Sequence, residues 1–91
     1  MALDVYWREY QKDRYLGSLE IDAPLEKLLY AFGQLTGIPI DPYGKARLHP
    51  AQWAELLELA SQRDYPLHVL KEITAGLPTN KLDGMLLFFG D

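Results

Sequence analysis

His49–Ser61, HPAQWAELLELAS, is the stretch whose reading decides the fold. Pro50 suits a first helical turn, where its missing N–H has no partner to lose and its restricted φ is already helical. Trp53, Leu56, Leu57 and Ala60 follow at i, i+3, i+4 and i+7, which places an indole and two leucines on one stripe. Gln52, Glu55, Glu58 and Gln62 fall on the opposite side. A helix divided in this way must bury its stripe, so the flanking segments are read as the elements that cover it.

Upstream, Asp22 or Ala23 caps a helix that opens with Pro24 and Glu26 and carries Leu25, Leu28, Leu29 and Phe32 inward, with Leu35 extending the stripe. Gly37 is its terminator. Between the two helices, Asp41-Pro42-Tyr43-Gly44 has Pro second and Gly fourth, the pattern of a tight turn, within an otherwise irregular segment anchored by Ile40 and Leu48. Downstream, Arg63 and Asp64 connect to a third helix from Pro66, burying Leu67, Leu70 and Ile73 with Val69 at its margin, and ending at Gly76 and Pro78.

Strand patterns lie at the two ends. Residues 3–10 alternate, with Leu3, Val5 and Trp7 on one side and Asp4, Tyr6, Arg8 and Tyr10 on the other. Gln11, Lys12 and Asp13 read as a three-residue hairpin loop before a second strand to Ile21. That register sets Val5 against Leu19, Leu3 against Ile21 and Trp7 over Gly17, and puts Leu16 on the outer face beside Arg8. After a loop in which Leu82 turns inward, Met85–Phe89 is apolar on both faces, as befits a strand inside a sheet or beneath helices. The expectation is one small α+β domain spanning residues 1–91, with an N-terminal β-hairpin, three helices and a C-terminal strand joining the sheet, in the order β-β-α-α-α-β.

A chain of 91 residues buries about 60 to 65% of its unfolded surface, enough for one core. With 48% hydrophobic and 24% charged residues, its composition is that of a globular protein. Nine basic and thirteen acidic residues give a net charge of −4, which repels phosphate backbones and anionic lipid and favours a basic or neutral partner. There is no cysteine, hence no disulfide, thiolate metal site or thiol nucleophile. The opening MALDVYWREY lacks the basic and apolar regions of a signal peptide, and no apolar run is long enough to span a bilayer, so a cytoplasmic protein is expected.

Catalytic constellations are weak. His68 has Asp64 four residues before it and Glu72 four after, which would orient an imidazole general base, but no nucleophile accompanies it. His49 is read as a cap or turn residue, and no metal-ligand spacing joins the two histidines. Neither serine sits in a nucleophile elbow, and no glycine-rich phosphate loop exists. Glu20, Asp22 and Glu26 cluster at the entry to the first helix and form the remaining acid–base candidate. No cofactor or metal is expected.

Aromatic residues point elsewhere. Trp7, Trp53, Phe32, Phe88 and Phe89 are assigned to the core, whereas alternation sends Tyr6 and Tyr10 outward beside Arg8, a combination typical of protein interfaces. Tyr43, at a turn tip, is a further exposed ring, and Glu55 and Glu58 supply an acidic helix face. Tyr6, Arg8, Tyr10, Tyr43, Glu55 and Glu58 are therefore the expected partner-binding residues of a non-enzymatic protein-interaction module holding a protein with a basic surface. An immunity or antitoxin protein covering a basic toxin is a specific version. A small acidic chain with Tyr43-Gly44 ahead of the Trp53 helix resembles inhibitors of the barstar kind at those residues alone. The N-terminal hairpin departs from that arrangement, so no functional residue is carried over. Two alternatives stand beside this reading: a small enzyme or ligand-binding domain using His68 or the Glu20, Asp22 and Glu26 cluster, and a homodimer formed through the hairpin edge.

Overall fold

Alternating polarity carries the chain up β1 (Ala2–Glu9) and back down β2 (Lys12–Glu20), as the computed structural model shows; it describes residues 1–78 and 84–90. After α1 (Ala23–Thr36), the chain forms a short strand, β3 (Lys45–Leu48), then α2 (Pro50–Gln62), α3 (Leu67–Ala75) and β4 (Gly84–Gly90). The four strands make one antiparallel sheet in the order β2-β1-β4-β3. The fold is α+β, a hairpin followed by three helices and a C-terminal strand that completes the sheet. The expected inward position of Leu82 lies outside the described residues.

Strand β4 is paired on both sides, with β1 and with β3, which accounts for its apolar composition. One face of the sheet supplies Leu3, Val5, Trp7, Leu19, Leu48, Leu86 and Phe88 to a single core, completed by residues of all three helices. Helix α3 packs over β2, and α2 over β3 and β4. Among the described residues no helix packs on the other face.

The hairpin differs from its expected form. Its loop is two residues, Tyr10 and Gln11, both at positive φ (51° and 64°), with Glu9 paired to Lys12. Positive φ at both central positions gives the turn whose twist matches the flanking strands, so Lys12 and Asp13 join the ladder instead of bridging it. Val5 pairs with Gly17 and Leu3 with Leu19, two residues away from the expected register; an irregularity between Val5 and Tyr6 then shifts the pairing so that Tyr6 meets Tyr15. Leu16 is the extra residue of that bulge and packs against the core, not on the outer face.

The helices largely follow their stripes. The carboxylate of Asp22 caps α1 by accepting from the Leu25 N–H at 2.9 Å, and Gly37, in the left-handed region (φ 76°), ends it. Leu25, Leu28, Leu29 and Phe32 are buried, but Leu35 is 68% exposed, so the stripe stops at Phe32. On α2 the buried set is Trp53, Leu56, Leu59 and Ala60, with Leu57 only half-buried. Flanked by elements on two sides, α2 buries a broader arc than the i, i+3, i+4 rule assigns. On α3, Leu70 and Ile73 are buried, and Leu67 is half-buried at the first turn.

The Asp41–Gly44 turn forms as read: the Gly44 N–H donates to the Asp41 carbonyl at 3.1 Å and the Tyr43 N–H to Asp41 Oδ1 at 2.9 Å. It feeds directly into β3, a regular strand within the segment expected to be irregular. Lys45-Ala46-Arg47-Leu48 alternates, and Leu48 reaches the core, but four residues leave little periodicity to detect.

Candidate interaction surface on the open sheet face

Because side chains alternate across a strand, the register determines what the helix-free face displays. From β1 come Asp4, Tyr6 and Arg8; opposite them on β2 stand Ser18, Tyr15 and Asp13, and on β4 Phe89, Leu87 and Met85. Strand β3 adds Lys45 beside Phe89 and Arg47 beside Leu87.

Three aromatic rings form a row across this face. Tyr6 stands edge-on to Tyr15 (centroids 5.4 Å apart) and to Phe89 (5.6 Å), both in favoured T-shaped geometry. Tyr15 is 55% exposed, whereas Tyr6 and Phe89 are half-buried. Lys45 Nζ lies 5.9 Å from the Phe89 ring centroid, within cation–π range. Leu87 is only 3% exposed although no helix covers it, since Tyr6 and Arg47 flank it directly. Phe89, assigned to the core from sequence, therefore belongs to this face, and of the two phenylalanines of β4 it is Phe88 that points into the core.

Charge divides along the same face. Arg8 Nε and Nη2 donate to the two carboxylate oxygens of Asp13 at 2.6 and 2.8 Å. Hydrogen bonding to the guanidinium holds the Asp13 carboxyl below its ordinary range and raises Arg8. Ser18 donates to Asp4 at 2.6 Å and shares a hydrogen bond with the Tyr15 hydroxyl. Carboxylates thus gather toward β2, and Lys45 and Arg47 toward β3. Among the described residues, neither of those two cations forms an ion pair.

The sequence-predicted partner-binding residues do not share one surface. Tyr6 and Arg8 lie together on the sheet face, while Tyr10 projects from the hairpin turn. Tyr43 is 48% exposed and donates its hydroxyl to Glu26 at 3.1 Å; that bond to a carboxylate raises its pKa above the ordinary tyrosine value. Glu55 and Glu58 face solvent on α2, on the helical side of the molecule, where they line a shallow groove with Leu35, Leu59 and Gln62. Tyr30, 71% exposed, stands on neighbouring α1.

Two of the acid–base candidates have local structural partners. Asp22 is engaged in its cap and Glu26 with Tyr43, while Glu20 is exposed at the end of β2. His68 is exposed on α3, and no ion pair joins it to Asp64 or Glu72 among the described residues. His49 stands at the cap position before α2, its backbone N–H donating to Gln52 Oε1 at 2.8 Å. Among the described residues no group of three or more acids and histidines is placed to hold a metal, and no helix is long and apolar enough to cross a membrane.

Tyr15, Phe89, Lys45 and Arg47 are the aromatic and basic members of the sheet face that sequence reasoning did not select. No family model, curated protein or solved structure matches the chain significantly.

Proposed function

We propose that this chain is a non-catalytic protein-interaction module that holds its partner on the helix-free face of its sheet. The observation that carries the reading is the row Tyr15, Tyr6 and Phe89, bordered by Arg8, Lys45 and Arg47. Aromatic and arginine side chains on a rigid support provide much of the energy of protein interfaces, because large rings bury area with few torsions to immobilise. Their scaffold is a four-strand sheet backed by one packed core.

A second reading rests on the helical side. Leu35 is exposed there beside Glu55 and Glu58, and Tyr30 lines a neighbouring groove with Leu35, a surface that suits a basic partner of the toxin kind. The two readings place the partner on different faces. Replacing Tyr15 or, separately, Tyr30 with a photo-cross-linking phenylalanine analogue in the protein's own host distinguishes them. The expected result is a stoichiometric cross-linked partner from position 15 and none from position 30. A cross-link from position 30 alone transfers the function to the helical side; none from either position contradicts both.

A further inference from the structure

Between β1, β4 and β3 the outer face dips into a shallow pocket lined by Arg8, Lys45, Ala46, Arg47, Leu87 and Phe89. Three cations and no carboxylate line it among the described residues, on a chain whose net charge is −4. Arg8 already holds Asp13 through two of its donors, which leaves Lys45 and Arg47 to meet a ligand. Those two stand two residues apart on one strand, about 6.6 Å along it, the spacing of alternate side chains in another extended segment. Leu87 gives the pocket an apolar floor and Phe89 an aromatic wall, which lowers the local dielectric and strengthens any charge pairing made there.

Resting on the reading of this face as the docking surface, we infer that the partner's anchor is an acidic peptide segment. Its carboxylates at alternate positions pair with Lys45 and Arg47, and an apolar side chain packs against Leu87 and Phe89. Arg47 offers a planar fork of donors suited to a carboxylate, and Lys45 a point charge beside it. A nucleic acid is disfavoured. Its backbone would draw on many cations, whereas this pocket offers two that form no ion pair among the described residues, and Asp4 and Asp13 occupy the same face. The inference reverses the charge of partner expected from composition, because the local field at β3 is opposite in sign to that of the whole chain.

The test follows backbone amide shifts of isotopically labelled protein during titration with capped hexapeptides alternating Val with Glu, with Gln or with Lys, and with a short oligothymidylate. The Glu peptide is expected to perturb Lys45–Leu48, Leu87 and Phe89 and to bind about tenfold more tightly than the Gln peptide at low salt, equivalent to about 1.4 kcal/mol. The double substitution Lys45→Gln with Arg47→Gln should abolish that preference and leave the unfolding midpoint in place. Equal binding by the Glu and Gln peptides, or a Glu peptide that perturbs none of these amides, overturns the acidic anchor. Tighter binding of the oligothymidylate overturns it in favour of a nucleic acid. The docking face itself is judged separately, by the cross-link from position 15.

Discussion

Trp7 of β1 lies directly against Gly84 at the start of β4: a Cβ at residue 84 would fall 1.9 Å from the indole Cζ2 and 2.4 Å from Cε2. No real carbon approaches so closely, so the buried indole and the absence of a side chain at residue 84 are one feature of the core. The contact also helps set the register between β1 and β4, in which Trp7 pairs with Leu86 and Glu9 with Gly84.

Gly84→Ala must therefore displace the Trp7 ring or part the strands. Overpacking of this kind costs about 1–3 kcal/mol. Urea unfolding should show the loss. An unchanged midpoint would mean that the indole has room to move.

Trp53 gives a second, polar constraint in the core. Its buried indole N–H donates to Thr74 Oγ1 at 2.9 Å, and that hydroxyl donates to the Leu70 carbonyl at 2.9 Å, tying α2 to α3. Thr74→Val keeps the shape but leaves the indole donor unpaired, for a loss of about 1–3 kcal/mol. Thr74→Ser should retain most of the stability in the same unfolding experiment. Equal behaviour of the two variants would show that the hydrogen bond contributes nothing.

The hairpin turn should be open to improvement. Gln11 holds a positive φ of 64° without being glycine, and the left-handed region is unfavourable for a residue with a Cβ. Gln11→Gly is expected to stabilise the chain by about 1 kcal/mol, less some of glycine's larger entropy loss. A lowered thermal midpoint would contradict the turn geometry.

The Arg8–Asp13 pair gives a pH dependence of definite sign. Asp13 is depressed in the folded protein, so its contribution is present above the ordinary carboxylate value and is lost as pH falls through the folded value. Both side chains are exposed, and the effect should shrink with salt. Following the Asp13 carboxyl carbon by NMR in wild type and Arg8→Gln checks this: the titration should move upward in the variant. Coincident curves would show that the pair does not persist in solution.

The parts of the fold legible in the sequence were those with a long period or a chemical punctuation mark. Asp22, Gly37 and the Asp41–Gly44 turn each act through their own backbone neighbourhood, and the apolar stripes of the helices repeat over three turns. What was not legible depended on partners distant in the chain. The register expected for the hairpin laid Trp7 over Gly17, a residue without a side chain, but the glycine it meets is Gly84, more than seventy residues away. The bulge that turns Leu16 inward shifts the ladder between Val5 and Tyr6, and a period-two pattern cannot register an inserted residue in advance.

The candidate surface was half legible for the same reason. Tyr6 and Arg8 could be sent outward by alternation within β1 alone. Phe89, Lys45 and Arg47 join them only through pairing of β1 with β4 and of β4 with β3. Doubly apolar β4 conceals which face each side chain serves, and net charge conceals a local cluster of opposite sign. Leu35 went the other way: it continues the stripe of α1 by spacing, yet it stands 68% exposed at the rim of a shallow groove beside α2 instead of in the core.

The central claim is that the partner sits on the helix-free sheet face, and the most direct measurement is the affinity of the partner captured at position 15 for three purified proteins: wild type, Tyr15→Ala and Leu35→Ala. Tyr15→Ala is predicted to weaken binding by about tenfold or more, about 1.4 kcal/mol, while remaining folded at the assay temperature, and Leu35→Ala to bind as wild type. Wild-type affinity in Tyr15→Ala together with weakened binding in Leu35→Ala would contradict the account and place the interface on the helices.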